Sequence, residues 1–157
     1  MVAAVKEHGK ALRDLEKSLP LQLLKAREAA MLRFRPMLRQ HGLTEQQWRV
    51  IRVLAACPNI DASGLAARSV LLAPSLTRIL QHLQAQRLLK RKVDAKDQRR
   101  AVFELSARGT ALFDTVAPDS EQVYGAIAQA FGADRLQTLY DLLAEFSDSL
   151  DQSSPRS

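Results

Sequence analysis

The chain has 157 residues, enough for one domain with its own core. Hydrophobic residues make up 46% of it and charged residues 25%, a globular balance, and no apolar run approaches the roughly 20 residues a membrane span needs. Twenty-three Lys and Arg against 17 Asp and Glu give a net +6 and a pI near 9.9, which suits nucleic acid or another anionic surface.

Residues 1–17 mix charged residues with scattered Ala and Leu and read as an N-terminal arm, with no signal-peptide core or cleavage site. Residues 18–157 then form a single domain. Ser18 can cap a helix over 19–40, in which Leu23, Leu24, Ala30, Met31, Phe34 and Leu38 make an apolar stripe. Pro36 lies well inside this pattern and is expected to kink the helix or split it near Arg35. Gly42 ends it. Thr44 opens T-E-Q-Q, the form of a capping box, and a helix over 45–56 that buries Trp48, Ile51 and Leu54. Pro58-Asn59 stops that helix. Asp61 or Ser63 then caps a short one, roughly 62–68, with Leu65 and Ala66 facing inward.

Val70-Leu71-Leu72-Ala73 is a turn into the stretch around which the chain is organised. Leu76, Ile79, Leu80 and Leu83 recur there at helical spacing, and Pro74 suits the first turn. The opposite face carries Ser75, Thr77, Arg78, Gln81 and His82, short or fork-shaped groups fit to enter a DNA major groove and reach base edges. From Arg87 to Arg100 seven cations meet two anions, so this run holds +5 of the chain's +6. Ala101-Val-Phe-Glu-Leu-Ser106 is β-prone. A strand, a charged tip and a second strand after a helix make a hairpin wing. The pattern is a winged helix-turn-helix, mainly α with a small β-hairpin.

Arg99, long and permanently charged at the tip, suits a narrow minor groove. Asp97 repels phosphate and reads as a brace for a nearby arginine. Lys90, Arg91, Lys92 and Arg100 suit phosphate contacts or steering, and Ser63 and Pro74 complete the candidate DNA-contacting set. The plain alternative is a solvated charged loop.

The pattern is helical again from 106 to about 131, with Leu112, Phe113, Val116, Val123, Ile127 and Phe131 as its stripe. Pro118 is expected to kink or break it near Ala117. Gly132 closes it, and Asp134 can cap a last helix, 135–150, with Leu136, Leu139, Leu143, Phe146 and Leu150 on one face. The tail after 151 reads as loose.

P-S-L-T-R-I-L at 74–80, L-L-K-R at 88–91, D-A-K-D-Q-R-R at 94–100 and F-E-L-S-A-R-G at 103–109 together resemble the winged-helix core of MarR-family transcription regulators. Asp97-Gln98-Arg99 stands where that family has D-x-R, and Leu105 to Gly109 where it has L-T-x-x-G. Phe34-Arg-Pro36 and Gly42 to Arg52 resemble one subgroup, the repressors of aromatic-acid catabolic operons typified by the homoprotocatechuate operon repressor. The likeness spans roughly 19–146. One position departs from it. Many relatives end the recognition helix with a glycine, and Gln86-Arg87 stands here instead, so a left-handed cap would be strained or absent.

The resemblance implies that helices 18–41 and 107–151 flank the winged helix, 43–106, and interlock with a second copy. Two recognition helices would then read a pseudo-palindrome of double-stranded operator DNA about 34 Å apart. It also implies a small aromatic carboxylate held between these helices and the winged module. Arg27, Met31 and Phe34 on one helix, with Trp48 and Arg52 on the next, are the candidates. The same residues read equally as plain core and surface.

The function expected is a cytoplasmic, nucleoid-associated, homodimeric transcriptional repressor. A hydroxylated ring acid such as homoprotocatechuate, 4-hydroxyphenylacetate or a hydroxynicotinate would release it. Cys57, the one cysteine, offers an oxidant-sensing alternative, and a nonspecific architectural nucleic-acid binder is a third reading. No cofactor, metal or catalytic residue is expected. His8, His41 and His82 are scattered, and the six glycines form no phosphate loop.

Overall fold

The computed structural model describes residues 15–153, so the arm over 1–17 lies outside it except for one 3-10 turn at Leu15–Lys17, and the last four residues lie outside it too. The elements run α1 (Leu19–Gln40), α2 (Glu45–Ala56), β1 (Ile60–Asp61), α3 (Ala62–Ser69), α4 (Ala73–Ala85), β2 (Leu89–Val93), β3 (Ala101–Leu105), α5 (Ala107–Phe131) and α6 (Ala133–Ser153). This is the mainly helical, winged arrangement expected.

Local chemistry explains the boundaries. Thr44 accepts the Gln47 N–H while the Gln47 side chain takes the Thr44 N–H, both at 3.1 Å, so the capping box forms. Asp61, not Ser63, caps α3 by accepting the Gly64 N–H at 2.8 Å. Ser18 occupies the first cap with extended backbone but makes no side-chain cap bond. Asp134 lies in the first turn of α6 instead of capping it, a place where a carboxylate suits the helix dipole.

Neither proline splits its helix. α1 runs unbroken through Pro36 and α5 through Pro118. Each proline is exposed, as is the residue four earlier, Leu32 or Asp114. The carbonyl that loses its partner therefore faces water on the outer side.

The sheet has order β1-β3-β2, wholly antiparallel. The hairpin pairs Leu89 with Leu105, Arg91 with Phe103 and Val93 with Ala101. β1 adds Ile60 opposite Phe103 and Asp61 opposite Val102. Two residues carry too little alternation to announce a strand, and the sequence reading had no β1.

α4 ends on a left-handed residue after all. Arg87 holds φ 60°, its N–H bonds Gln84 O at 2.9 Å, and the Leu88 N–H bonds Leu83 O at 2.9 Å. These are the two bonds of a Schellman ending, made with arginine where glycine would be unstrained.

Leu38, Val50, Ile51, Leu54, Leu65, Leu83 and Val116 are almost fully buried and make one core from α1 through α5. His41 Nε2, just past α1, lies 2.7 Å from Asp119 Oδ2 and ties that end to α5. α6 differs from the rest: none of its described side chains is buried. Leu139, Tyr140, Leu142, Leu143 and Phe146 stay 36–57% exposed, and Leu19, Leu23, Leu24 and Leu32 on α1 are likewise open.

Candidate nucleic-acid interface and effector cluster

α4 presents two faces of opposite character. Leu76, Ile79, Leu80 and Leu83 are buried, whereas Pro74, Thr77, Arg78, Gln81 and His82 are exposed and Ser75 is half-buried. The Thr77 hydroxyl donates to Ala73 O at 2.9 Å, leaving its methyl and lone pairs for a partner. Arg78 has no carboxylate in reach among the described residues. Ser63 is exposed in the first turn of α3.

Two side-chain turns set the wing tip. Asp94 accepts the Lys96 N–H at 2.9 Å, and Asp97 accepts the Arg99 N–H at 3.0 Å. Asp97 thus holds Arg99 by its main chain and leaves the guanidinium exposed. The cations expected to meet phosphate divide into two groups. Arg100 donates from Nε to Asp61 Oδ2 at 2.6 Å, and from Nη2 to the same oxygen, while Lys92 pairs with Glu104. Lys90 and Arg91 are exposed without such partners among the described residues.

The sequence marks Asp61 as a helix cap and nothing more. The Gly64 N–H and then the Arg100 guanidinium hold its carboxyl below the ordinary value of 3.8, and the pair raises Arg100 in turn. One carboxylate therefore fastens the wing to the start of α3. An N-cap aspartate is visible in sequence, but its second partner, thirty-nine residues away, is not.

The second cluster sits where α1, α2 and α5 meet. Phe34 and Trp48 are buried, 8% and 6% exposed, and Met31 packs against them half-buried. Phe34 meets Tyr124 edge-on at 4.8 Å between ring centroids, and Trp48 stacks on Phe113 at 5.6 Å. Arg52 is exposed, donates to Tyr124 Oη at 2.9 Å and lies 5.7 Å from that ring's centroid. Arg27 is engaged with carboxylates, at 2.9 Å from Glu28 and 2.8 Å from Glu45. Arg35 completes the network at 2.8 Å from Glu28 and 2.6 Å from Glu45. Partial burial of Glu45 would raise its pKa, but hydrogen bonds from Arg35 and Arg27 prevail and lower it.

The structure thus joins Phe34 and Arg52 through Tyr124 of α5 and sets Trp48 on Phe113, with Met31 packed on the same core, whereas Arg27 is held by Glu28 and Glu45. Phe113 was visible as part of an apolar stripe, but nothing in the chain says which turn of α5 faces α2. Cys57 is the C-cap residue of α2, half-buried, its N–H bonded to Val53 O at 2.8 Å. Among the described residues no group of His, Cys, Asp and Glu could hold a metal ion, and no helix is long and apolar enough to cross a membrane.

Comparison with known proteins agrees with this geometry. A family model described as "MarR family" matches residues 41–100, the winged helix. The homoprotocatechuate degradative operon repressor of Escherichia coli is 43% identical over 129 residues, covering 82% of this chain and 87% of that protein. Among solved structures, the transcriptional regulator PA4135 is 43% identical with a TM-score of 0.80, over 88% of this chain and 98% of that one. NadR in complex with 4-hydroxyphenylacetate is 36% identical with a TM-score of 0.79, over 87% of this chain and 100% of that one. With α4, the wing and the helices that flank them all in place, the chain belongs to the MarR family of transcriptional regulators.

Proposed function

We propose that this protein is a cytoplasmic, homodimeric, DNA-binding repressor that a small hydroxylated aromatic carboxylate releases from its operator. α4 is the reading element, with Arg78 and Gln81 on base edges. Arg99 enters the minor groove, and Lys90 and Arg91 meet phosphates. The open apolar faces of α6 and α1 suit a second copy, because side chains this exposed would otherwise stay in water. The E. coli relative, named as a repressor of a homoprotocatechuate degradative operon, supports the operon type.

Arg52 is the observation that carries the effector half. Among the described residues its guanidinium has the Tyr124 hydroxyl as its one hydrogen-bond partner, and Phe34 meets that same ring edge-on. An aromatic cluster with one available cation has the chemistry an aromatic acid requires. Arg27, already between two carboxylates, is the weaker clamp. NadR, crystallised with 4-hydroxyphenylacetate, supports the same ligand class. A ligand there touches α1, α2 and α5 together, so it can shift the reading module against the outer helices.

The DNA half is tested by fluorescence anisotropy on the protein's own upstream DNA against random DNA at matched salt. A preference of about a thousandfold or more is expected of a specific regulator. Equal affinity would instead mark a nonspecific architectural binder.

A further inference from the structure

The turn that leads into α4 carries three costs that a glycine at position 70 and a polar cap at position 72 would avoid. Val70 sits at φ 52°, ψ 54°, a left-handed conformation that is an outlier for a β-branched side chain. Leu72 is the N-cap of α4 and makes no side-chain cap bond, where Ser, Thr, Asp or Asn would satisfy a first-turn N–H. Both side chains stand in water: Val70 is 80% and Leu72 78% exposed, more than any other large apolar side chain among the described residues. Leu71, between them, packs against the core.

The turn is also held rigidly. Arg49 Nη1 donates to Ser69 O at 3.0 Å and to Val70 O at 3.4 Å. The Leu71 N–H closes on Ala66 O at 3.0 Å. Two apolar groups are therefore fixed outward at the start of the reading helix, flanked by the exposed cations Arg68 and Arg78. The left-handed turn itself closes α3, with the Val70 N–H on Ala67 O at 3.3 Å, so what is unusual is the apolar, β-branched side chain placed there.

We propose that Val70 and Leu72 determine sequence specificity by packing on thymine methyl groups in the major groove. The proposal rests on the assignment of α4 as the DNA-reading helix. The start of such a helix lies nearest the base edges. The thymine C5-methyl is the apolar group those edges present, and a side chain without polar atoms can discriminate only by touching it. Arg78 and Gln81 supply the hydrogen bonds, and the apolar pair adds a distinction between thymine and cytosine that they do not make. A serine at position 72 would cap the helix better and read nothing apolar.

The experiment replaces each thymine of the bound site in turn with deoxyuridine, which removes only the methyl group. Wild-type protein should lose about fourfold in affinity for each methyl contacted. Leu72→Ala or Val70→Ala should abolish that sensitivity at particular thymines while leaving the rest of the profile unchanged. Leu72→Ser should melt at a higher temperature, because it gains a cap, and still lose the discrimination. Identical deoxyuridine profiles for wild type and all variants would overturn the proposal while the DNA-reading assignment stands. A wild type that does not prefer its upstream DNA to random DNA would overturn that assignment, and this proposal with it.

Discussion

A Cβ on Gly109 would lie 1.9 Å from the carbonyl oxygen of Leu88. The start of α5 thus rests directly on the backbone that joins α4 to the wing. Ser106 locks the same joint: its hydroxyl donates to Arg87 O at 2.7 Å and accepts the Gly109 N–H at 3.0 Å. The Leu-Ser-x-x-Gly pattern is therefore the seam between the reading module and the outer helices. Gly109→Ala should cost about 2–4 kcal/mol, because the obstructing atom is backbone and cannot swing aside. Urea unfolding checks it, and a cost below about 1 kcal/mol would mean the seam is loose.

Arg87 gives a change of the opposite sign. It occupies a left-handed position that glycine adopts without strain. Arg87→Gly should raise stability by about 0.5–1 kcal/mol, the relieved strain exceeding the added freedom of the unfolded chain. The unfolding midpoint should move up with an unchanged slope.

Arg78 and Arg99 should separate by the DNA they are tested on. Arg78→Ala is expected to cost about 1–3 kcal/mol on the operator and little on random DNA. An equal loss on both would make Arg78 a phosphate contact. Arg99→Ala should weaken operator binding while leaving the dimer folded, and unchanged affinity would remove the wing tip from the interface.

Asp61 makes stability depend on acid. Its folded pKa is lowered by the Gly64 N–H and Arg100, so the stabilisation is complete above the ordinary value of 3.8 and disappears as pH falls below it through the folded value. Asp61→Asn should therefore narrow the stability gap to wild type as pH is taken below 3.8. A gap of constant size down to acid unfolding would show that the carboxylate charge is not involved.

Much of this was legible in the chain because it is local. The capping box at Thr44, the two faces of α4 and the hairpin wing each follow from spacing within one short stretch of chain. What was missed is long-range or relaxed by the surroundings. Pro36 and Pro118 sit on outer faces where water replaces the lost bond, which no periodicity reports. Arg87 takes the left-handed cap because two backbone bonds and the Ser106 hydroxyl hold it there, 19 residues away in sequence for the last of these. Asp61 gains Arg100, and Tyr124 gains Arg52, only when the wing and α5 fold back on α3 and α2. The candidate effector residues were readable by type, but their ranking was not. Only the structure shows Arg27 taken by Glu28 and Glu45 and Arg52 turned toward Tyr124.

The decisive measurement is release of the bound upstream DNA by 4-hydroxyphenylacetate and homoprotocatechuate, followed by anisotropy for wild type and Arg52→Ala. One of these acids should dissociate the wild-type complex. Arg52→Ala should bind the DNA equally well and need at least about tenfold more acid, the worth of a hydrogen bond to a charged group. Failure of both acids to release the wild type, or release of Arg52→Ala at the same concentration, would contradict a carboxylate effector held by Arg52.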